Sequence, residues 1–318
     1  MGGSVTLTAD QVGLFDSTAI DASGATGGGT VLVGGDYQGK SPDVANASAS
    51  YVGADVTLYA NATEQGDGGK VIVWADGYTR YQGYISAQGG VAGGDGGFAE
   101  VSGKQTLAFE GTVDLKAAQG NTGTLLLDPT NLTISATNNS INGTSPFTPS
   151  GASSTLSVST LAAALDNASV TVTTVGSPDN SEAGDITVAN SIGWFTATKL
   201  TLQAAGAITI NDSVNIQSFD GSLALIAGTG ITQNTTTPGR LLIGGTTELS
   251  TTSGNISLTS STNQMTGSVS ATAAGSIALT NANSLVLGNV SAGGAVALVT
   301  SANSGSITSG GTFAAASL

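Results

Sequence analysis

Gly66 to Ile134 reads GDGGKVIVWADGYTRYQGYISAQGGVAGGDGGFAEVSGKQTLAFEGTVDLKAAQGNTGTLLLDPTNLTI. Short apolar runs recur in it, at Val71 to Val73, Phe98 to Val101, Leu107 to Phe109 and Leu125 to Leu127, and doubled glycines such as Gly68-Gly69, Gly89-Gly90 and Gly96-Gly97 stand between them. Apolar residues alternating with small or polar ones send one side chain inward and the next outward, which is a strand with one buried face. Paired glycines at each break supply turn geometry that other residues reach only with strain. Units recurring at roughly 25 residues, each too small to bury its own apolar face, are the mark of a stacked solenoid.

The same unit extends in both directions. Ser4 to Asp10 (SVTLTAD) is a strand, and Ser17 to Lys40 mirrors the later block: Ile20, Ile85 and Val113 each precede a small-residue turn, a glycine cluster and a second strand. Those second strands are Val31 to Val33, Phe98 to Val101 and Leu125 to Leu127. From Gly184 a simpler unit takes over, a glycine followed by Ile, Leu or Val alternating with Thr, Ser or Ala. It begins at Gly184, Gly206, Gly221, Gly254, Gly275, Gly294 and Gly305. Residues 135 to 183 break the rhythm with Pro146, Pro149 and Pro178, and contain the one passable helix, Ser159 to Ala168, with Ser159 or Thr160 as its cap. The expected organisation is therefore a glycine-rich β-helix over 1–134, an irregular and partly helical excursion over 135–183, and a continuation with rungs of about 20 residues over 184–318.

Several segments carry a resemblance to a known family: GGKVIVWADG (Gly68 to Gly77), GGDGGFAEVSGK (Gly93 to Lys104), GTLLLDPTNLTI (Gly123 to Ile134) and, further on, GDITVANSIGW (Gly184 to Trp194) with LTLQAAGAITIN (Leu200 to Asn211). In order and spacing they resemble the filamentous-haemagglutinin family of two-partner-secretion exoproteins and its high-molecular-weight adhesin relatives. The likeness covers residues 16 to 225 and includes the segment DYQGK (Asp36 to Lys40). It implies an all-β, right-handed parallel β-helix at a Gram-negative cell surface. The implied partners are a glycan or protein on a host or neighbouring cell and, for a full-length chain, an outer-membrane transporter. It implies no active site. Met1-Gly2-Gly3 leads straight into a strand with no apolar signal core, so the chain reads as an interior segment of such a protein.

Composition agrees and excludes much else. Charged residues make up 9% of the 318, against about 25% in an average soluble protein, and positive mean hydropathy argues against disorder. With a net charge of −14 and seven basic residues, the sequence offers no basic patch for nucleic acid or anionic lipid. No run approaches the length of a membrane-spanning helix. The chain has no cysteine and no histidine, which removes disulfides, thiolate and imidazole metal sites and histidine-based catalysis. After Glu248 no charged residue occurs, leaving strand edges without the charges that usually keep them from self-association.

What chemistry remains is sparse, and no cofactor is required by any motif. Asp67, Asp76, Asp95 and Asp114 could meet on one face if their rungs stack, and calcium is the ion they would attract; a solvated acidic face is the alternative. For acid–base hydrolysis of a polysaccharide the neighbours are Glu100 with Glu110 or Asp114. Trp74, Tyr78, Arg80, Tyr81 and Tyr84 cluster within eleven residues. The aromatic members are candidates for a carbohydrate-stacking platform, and equally for an aromatic ladder between rungs. Ten Asn-x-Ser/Thr sequons, among them Asn46, Asn61, Asn131, Asn142, Asn211 and Asn289, are either glycan acceptors, as the resemblance allows, or asparagine ladders at the corners of a β-helix. The sequence thus reads as the shaft of an adhesin, with a polysaccharide-binding or polysaccharide-degrading β-helix, or a matrix filament, as the rival readings.

Overall fold

A computed structural model describes residues 1–137, 153–176, 182–302 and 304–317. The chain is all-β, with parallel strands stacked as a solenoid of about 12 turns among the described residues and a single short helix. It divides into two compact units, Met1–Thr130 with Thr137–Val172, and Asn131–Ala136 with Thr173–Leu318.

The first unit has three strand faces. One stacks Ser4–Leu7, Thr30–Val33, Lys70–Ala75, Phe98–Gly103, Thr124–Leu127 and Ser169–Thr173; the second Gln11–Leu14, Ala49–Val52, Tyr78–Tyr81 and Thr106–Phe109; the third Ala19–Asp21, Thr57–Tyr59, Tyr84–Ser86 and Thr112–Asp114. All neighbours are parallel and in register, so like sits on like. Val31, Val71, Ala99, Leu125 and Val170 form one inward ladder, and all five are fully buried. Ile20, Leu58, Ile85 and Val113 form another. The equivalence of Ile20, Ile85 and Val113 is as expected; the rung carrying Leu58 lay unrecognised between them.

The second unit repeats the scheme with shorter rungs. Ile186, Ile208, Ile231, Ile256 and Ile277 stack in register and are buried, continuing to Val296. The outward neighbours Thr187, Thr209, Thr232 and Ser257 stack beside them. The glycine-led repeats are not all equivalent. Those at Gly184, Gly206, Gly254 and Gly275 precede strands of this face and Gly294 lies within Leu285–Thr300, whereas Gly221 precedes Ser222–Ala227, which pairs with Lys199–Ala204 and Thr247–Thr251 on a different one.

Corners solve a hydrogen-bonding problem, because a chain leaving a strand exposes amides that the ladder no longer pairs. A side-chain oxygen from one rung accepts from a backbone N–H of the next: Asn61 from Gln88, Asp67 from Asp95, Asp95 from Asn121, Asn131 from Asp185, Asp185 from Ala207, Asn255 from Ser276 and Asn289 from Thr312, at 2.7–3.0 Å. Short Asn and Asp side chains suit this role. Where the corner is tightest only glycine fits, since a Cβ at Gly68 would lie 2.1 Å from the Ala87 carbonyl oxygen.

The break expected over 135–183 is narrower than the sequence suggested. Ser169–Thr173 is a regular rung, with Ser169 to Val172 in register with Thr124 to Leu127. The helix runs Val158–Leu165, one residue earlier than expected at its start and three at its end, and its cap is Ser157, whose hydroxyl accepts from the Thr160 N–H at 3.0 Å. It buries Leu161, Ala164 and Leu165. Pro146, Pro149, Pro178 and Asn142 lie outside the described residues. No helix among the described residues is long and apolar enough to cross a membrane.

Candidate functional site

On the first face of the first unit, residues 34–47 leave the rung and lie across the outside of the sheet. Leu32, Ile72 and Trp74 point outward from the strands and are buried under this strap, with Val44 packed against them. Gly39 sits at φ +60, and a Cβ there would stand 2.6 Å from the Trp74 indole, so the strap can close over the ring only with glycine at this position. The Trp74 Nε1–H donates to Asp76 Oδ1 at 3.2 Å, and the Asn46 amide donates to the same oxygen at 3.1 Å.

Beyond Trp74 the strap covers two carboxyls. The Gln38 backbone N–H lies 3.1 and 3.2 Å from the two oxygens of Glu100, and its side-chain amide donates to Asp128 Oδ2 at 3.3 Å. Gln38 holds φ at +52, a conformation that L residues adopt at a cost of roughly 1 kcal/mol or more. Glu100 is fully buried and Asp128 1% exposed. Burial pushes the Glu100 carboxyl up to about 7 against the Gln38 N–H, which favours its charged form; the charges of Asp128 and Asp36 add to the rise. Asp36 anchors the strap through Lys70 at 2.8 Å. Its carboxyl feels burial pushing it up, but the Lys70 hydrogen bond and charge and the Tyr37 N–H outweigh that and hold it below its ordinary value.

Beside the strap an open groove of about 550 Å³ crosses four rungs, floored by Gly28-Gly29, Gly68-Gly69, Gly96-Gly97 and Gly123. One wall carries Asp67, Asp95 and Asn121, stacked by the corner hydrogen bonds. The other carries Lys70, Phe98 and Thr124, three residues that are also partners in strand register. Tyr37 of the strap is in tilted contact with the Phe98 ring, with centroids 5.9 Å apart.

The residues singled out in the sequence are placed differently from a carbohydrate platform. Trp74, Tyr78 and Tyr81 are 1%, 3% and 0% exposed and Tyr84 is half-buried, so three of the four rings offer no face to a sugar. They serve as internal packing: Tyr81 stacks on Phe109 at 5.6 Å with an 8° interplanar angle, and Tyr84 meets Tyr59 edge-on at 6.2 Å. Burial pushes the Tyr78 hydroxyl up to about 12 and that of Tyr81 well above its ordinary value. Arg80 lies over the Tyr51 ring, 6.0 Å from its centroid, and 3.8 Å from Glu110.

The expected acid pairings are also rearranged. Glu100 keeps company with Asp128 and Asp36, not with Glu110 or Asp114: Glu110 accepts from Gln82 and faces Arg80, and Asp114 accepts from Gln88. Asp67 and Asp95 do share a ladder, whereas the exposed Asp76 accepts from Trp74 and Asn46 and Asp114 from Gln88. Among the described residues no group of three or more acidic, histidine or cysteine side chains gathers as a metal site. Of the sequon asparagines, Asn61, Asn131 and Asn289 use their amide oxygens in the corner ladders, and Asn46 is tied to Gly39 and Asp76. Gln38 and Asp128 were not singled out from the sequence, although the first lies in the quoted segment Asp36 to Lys40 and the second in Gly123 to Ile134. No family model matches this chain, and no curated protein matches it either.

Proposed function

We propose that this chain is a shaft segment of a secreted or surface-exposed adhesin-type exoprotein, one that presents binding regions to a glycan or protein on another cell. The observation that carries the reading is the register-matched apolar ladder within each unit, Val31 to Val170 in the first and Ile186 to Ile277 in the second. Such a stack grows by nearest-neighbour contacts alone and makes a stiff rod from a sequence poor in charge. The resemblance of Gly68 to Gly77, Gly93 to Lys104 and Gly123 to Ile134 to haemagglutinin-type exoproteins supports the extracellular setting, and these segments form corners and strands of the first ladder. In this reading no residue performs chemistry.

The test is antibody labelling of intact producing cells, together with binding of the purified chain to target cells. Labelling of unpermeabilised cells or of culture medium, with saturable binding, is expected. Antigen found only after lysis would overturn the reading, and so would a fall in polysaccharide viscosity caused by the purified chain.

A further inference from the structure

We infer that the glycine-floored groove of the first unit binds an extended, neutral, β-linked oligosaccharide lying along the stack of rungs. The groove's volume, about 550 Å³, falls in the range of small-molecule sites, and its length follows the stacking direction across four successive corners. Along that direction the lining repeats at about 4.8 Å, the spacing of paired strands. That is close to the advance of one pyranose in an extended chain, so the chain keeps pace with the rungs, one ring to each, while its β-1,4 linkages turn successive rings over. The glycine floor has no side chains, which lets a flat chain approach the backbone.

The walls supply the two kinds of contact a sugar requires. Asp67 and Asp95 each commit Oδ1 to a backbone N–H of the next rung, at 2.8 and 2.7 Å, which fixes the carboxylates and leaves Oδ2 of each to accept from ligand hydroxyls. Asn121 continues the row, with its amide on Asp95 at 3.2 Å. Opposite them Phe98 presents a half-buried ring, in tilted contact with Tyr37 of the strap, for the apolar face of a pyranose. Charge selects the ligand class. Lys70, the basic side chain of the groove, is already paired with Asp36 at 2.8 Å, so the carboxylates of the opposite wall leave the site negative and unfavourable to uronic acids or sulfated sugars. The exposed phenylalanines of the second unit, Phe195 and Phe219, at 75% and 67%, lie outside the groove and serve as controls.

This adds a ligand class and a place to the adhesin reading and fails separately from it, because it is tested with soluble sugars and the full chain rather than with cells. Isothermal titration with β-1,4-linked oligomers of glucose, xylose and N-acetylglucosamine, two to six units long, is expected to show affinity rising with length to about four units, one per glycine corner, and then levelling. Phe98→Ala should weaken binding about tenfold, and Asp67→Asn with Asp95→Asn, which keeps an oxygen for each corner N–H, should do the same. Phe195→Ala should leave it unchanged, and circular dichroism should show all variants folded. The inference is overturned if no neutral oligomer binds, if the groove variants bind as tightly as the parent, or if oligogalacturonate binds more tightly than the neutral series.

Discussion

Replacing Glu100 by glutamine should stabilise the protein at alkaline pH and leave it unchanged in acid. Glu100 is fully buried beneath the strap, between the Gln38 N–H and the carboxyls of Asp128 and Asp36, and its carboxyl is raised from 4.5 to about 7. Below pH 4.5 it is protonated whether the chain is folded or not, and it contributes no pH dependence. Between 4.5 and about 7 the folded protein keeps a proton that the unfolded chain has released, so stability falls as pH rises; above about 7 the loss is complete. At about 1.4 kcal/mol per pH unit, the charged carboxylate costs the fold about 3 kcal/mol by pH 8. Glutamine keeps the volume and an oxygen for Gln38 but cannot ionise. For a folding unit of roughly 150–250 residues the difference corresponds to a rise of about 6–12 °C in the melting temperature of the variant over the parent at pH 8, shrinking to about zero near pH 4. Far-UV circular dichroism melts at half-unit pH steps, with hydrogen exchange of the amides in Lys70–Ala75 and Phe98–Gly103, would read it. Carboxylates that do not interact with Glu100 are common to both proteins and cancel in the comparison. Parallel melting curves for parent and Glu100→Gln across pH 4 to 8 would refute the reasoning.

Trp74→Ala should remove the ring on which the strap closes, at a cost of about 3–5 kcal/mol, and should let the backbone at the already exposed Lys40 unfold into trypsin, so that cleavage there is faster than in the parent on gels; unchanged cleavage at Lys40 would argue that the strap is held mainly by Asp36–Lys70. Ile231→Ala, in the middle of the ladder from Ile186 to Ile277, should cost about 2–5 kcal/mol, seen as a lower urea midpoint. Asn263→Leu should destabilise despite the gain in apolar surface. Asn263 exchanges hydrogen bonds with Gln233 at 2.9 and 3.1 Å and accepts from the Leu241 N–H at 2.8 Å, and orphaning those buried groups costs about 1–3 kcal/mol each. A raised melting temperature for this variant would contradict that account.

The periodic part of the fold was legible because a parallel stack writes its register into the sequence: a residue meets its equivalent one rung later, so Ile20, Ile85 and Val113 could be matched by pattern alone. Rungs without the glycine mark were harder to see. Leu58 belongs to the same ladder but is not followed at once by a glycine pair. Gly221 looked like its neighbours yet opens a strand on another face, since a rung carries more than one glycine-led strand. The aromatic cluster was visible and its exposure was not. A missed signal lay in Lys70–Ala75, where Val71 to Ala75 is a continuous apolar run and every one of its side chains is buried. An unbroken run of that kind indicates cover on both faces. The cover comes from residues 34–47, and nothing in strict rung periodicity announces which loop folds back over which strand. Glu100, Gln38 and Asp128, 62 and 90 residues apart in the pairs that Gln38 makes, were out of reach for the same reason.

The two units differ in what their outer surfaces carry. In the second, the outward row beside the isoleucine ladder is Thr187, Thr209, Thr232 and Ser257, a strip of short-chain hydroxyls. Recognition needs departures from repetition, because identical rungs offer a ligand identical sites and no preferred position. The departures that shape the groove lie in the first unit: a strap at a strained Gln38, a carboxyl kept near neutrality beneath it, and two walls that differ in charge and shape. The strap and the groove share Lys70, paired with Asp36 of the strap, and Phe98, in tilted contact with Tyr37 of the strap. Loosening the strap at high pH would therefore disturb the groove wall that holds the ring. Affinity for a neutral oligosaccharide should then fall between pH 6 and 8 in the parent protein and stay level in Glu100→Gln, with titration calorimetry at each pH as the measurement; an equal decline in both would uncouple the groove from the buried acid.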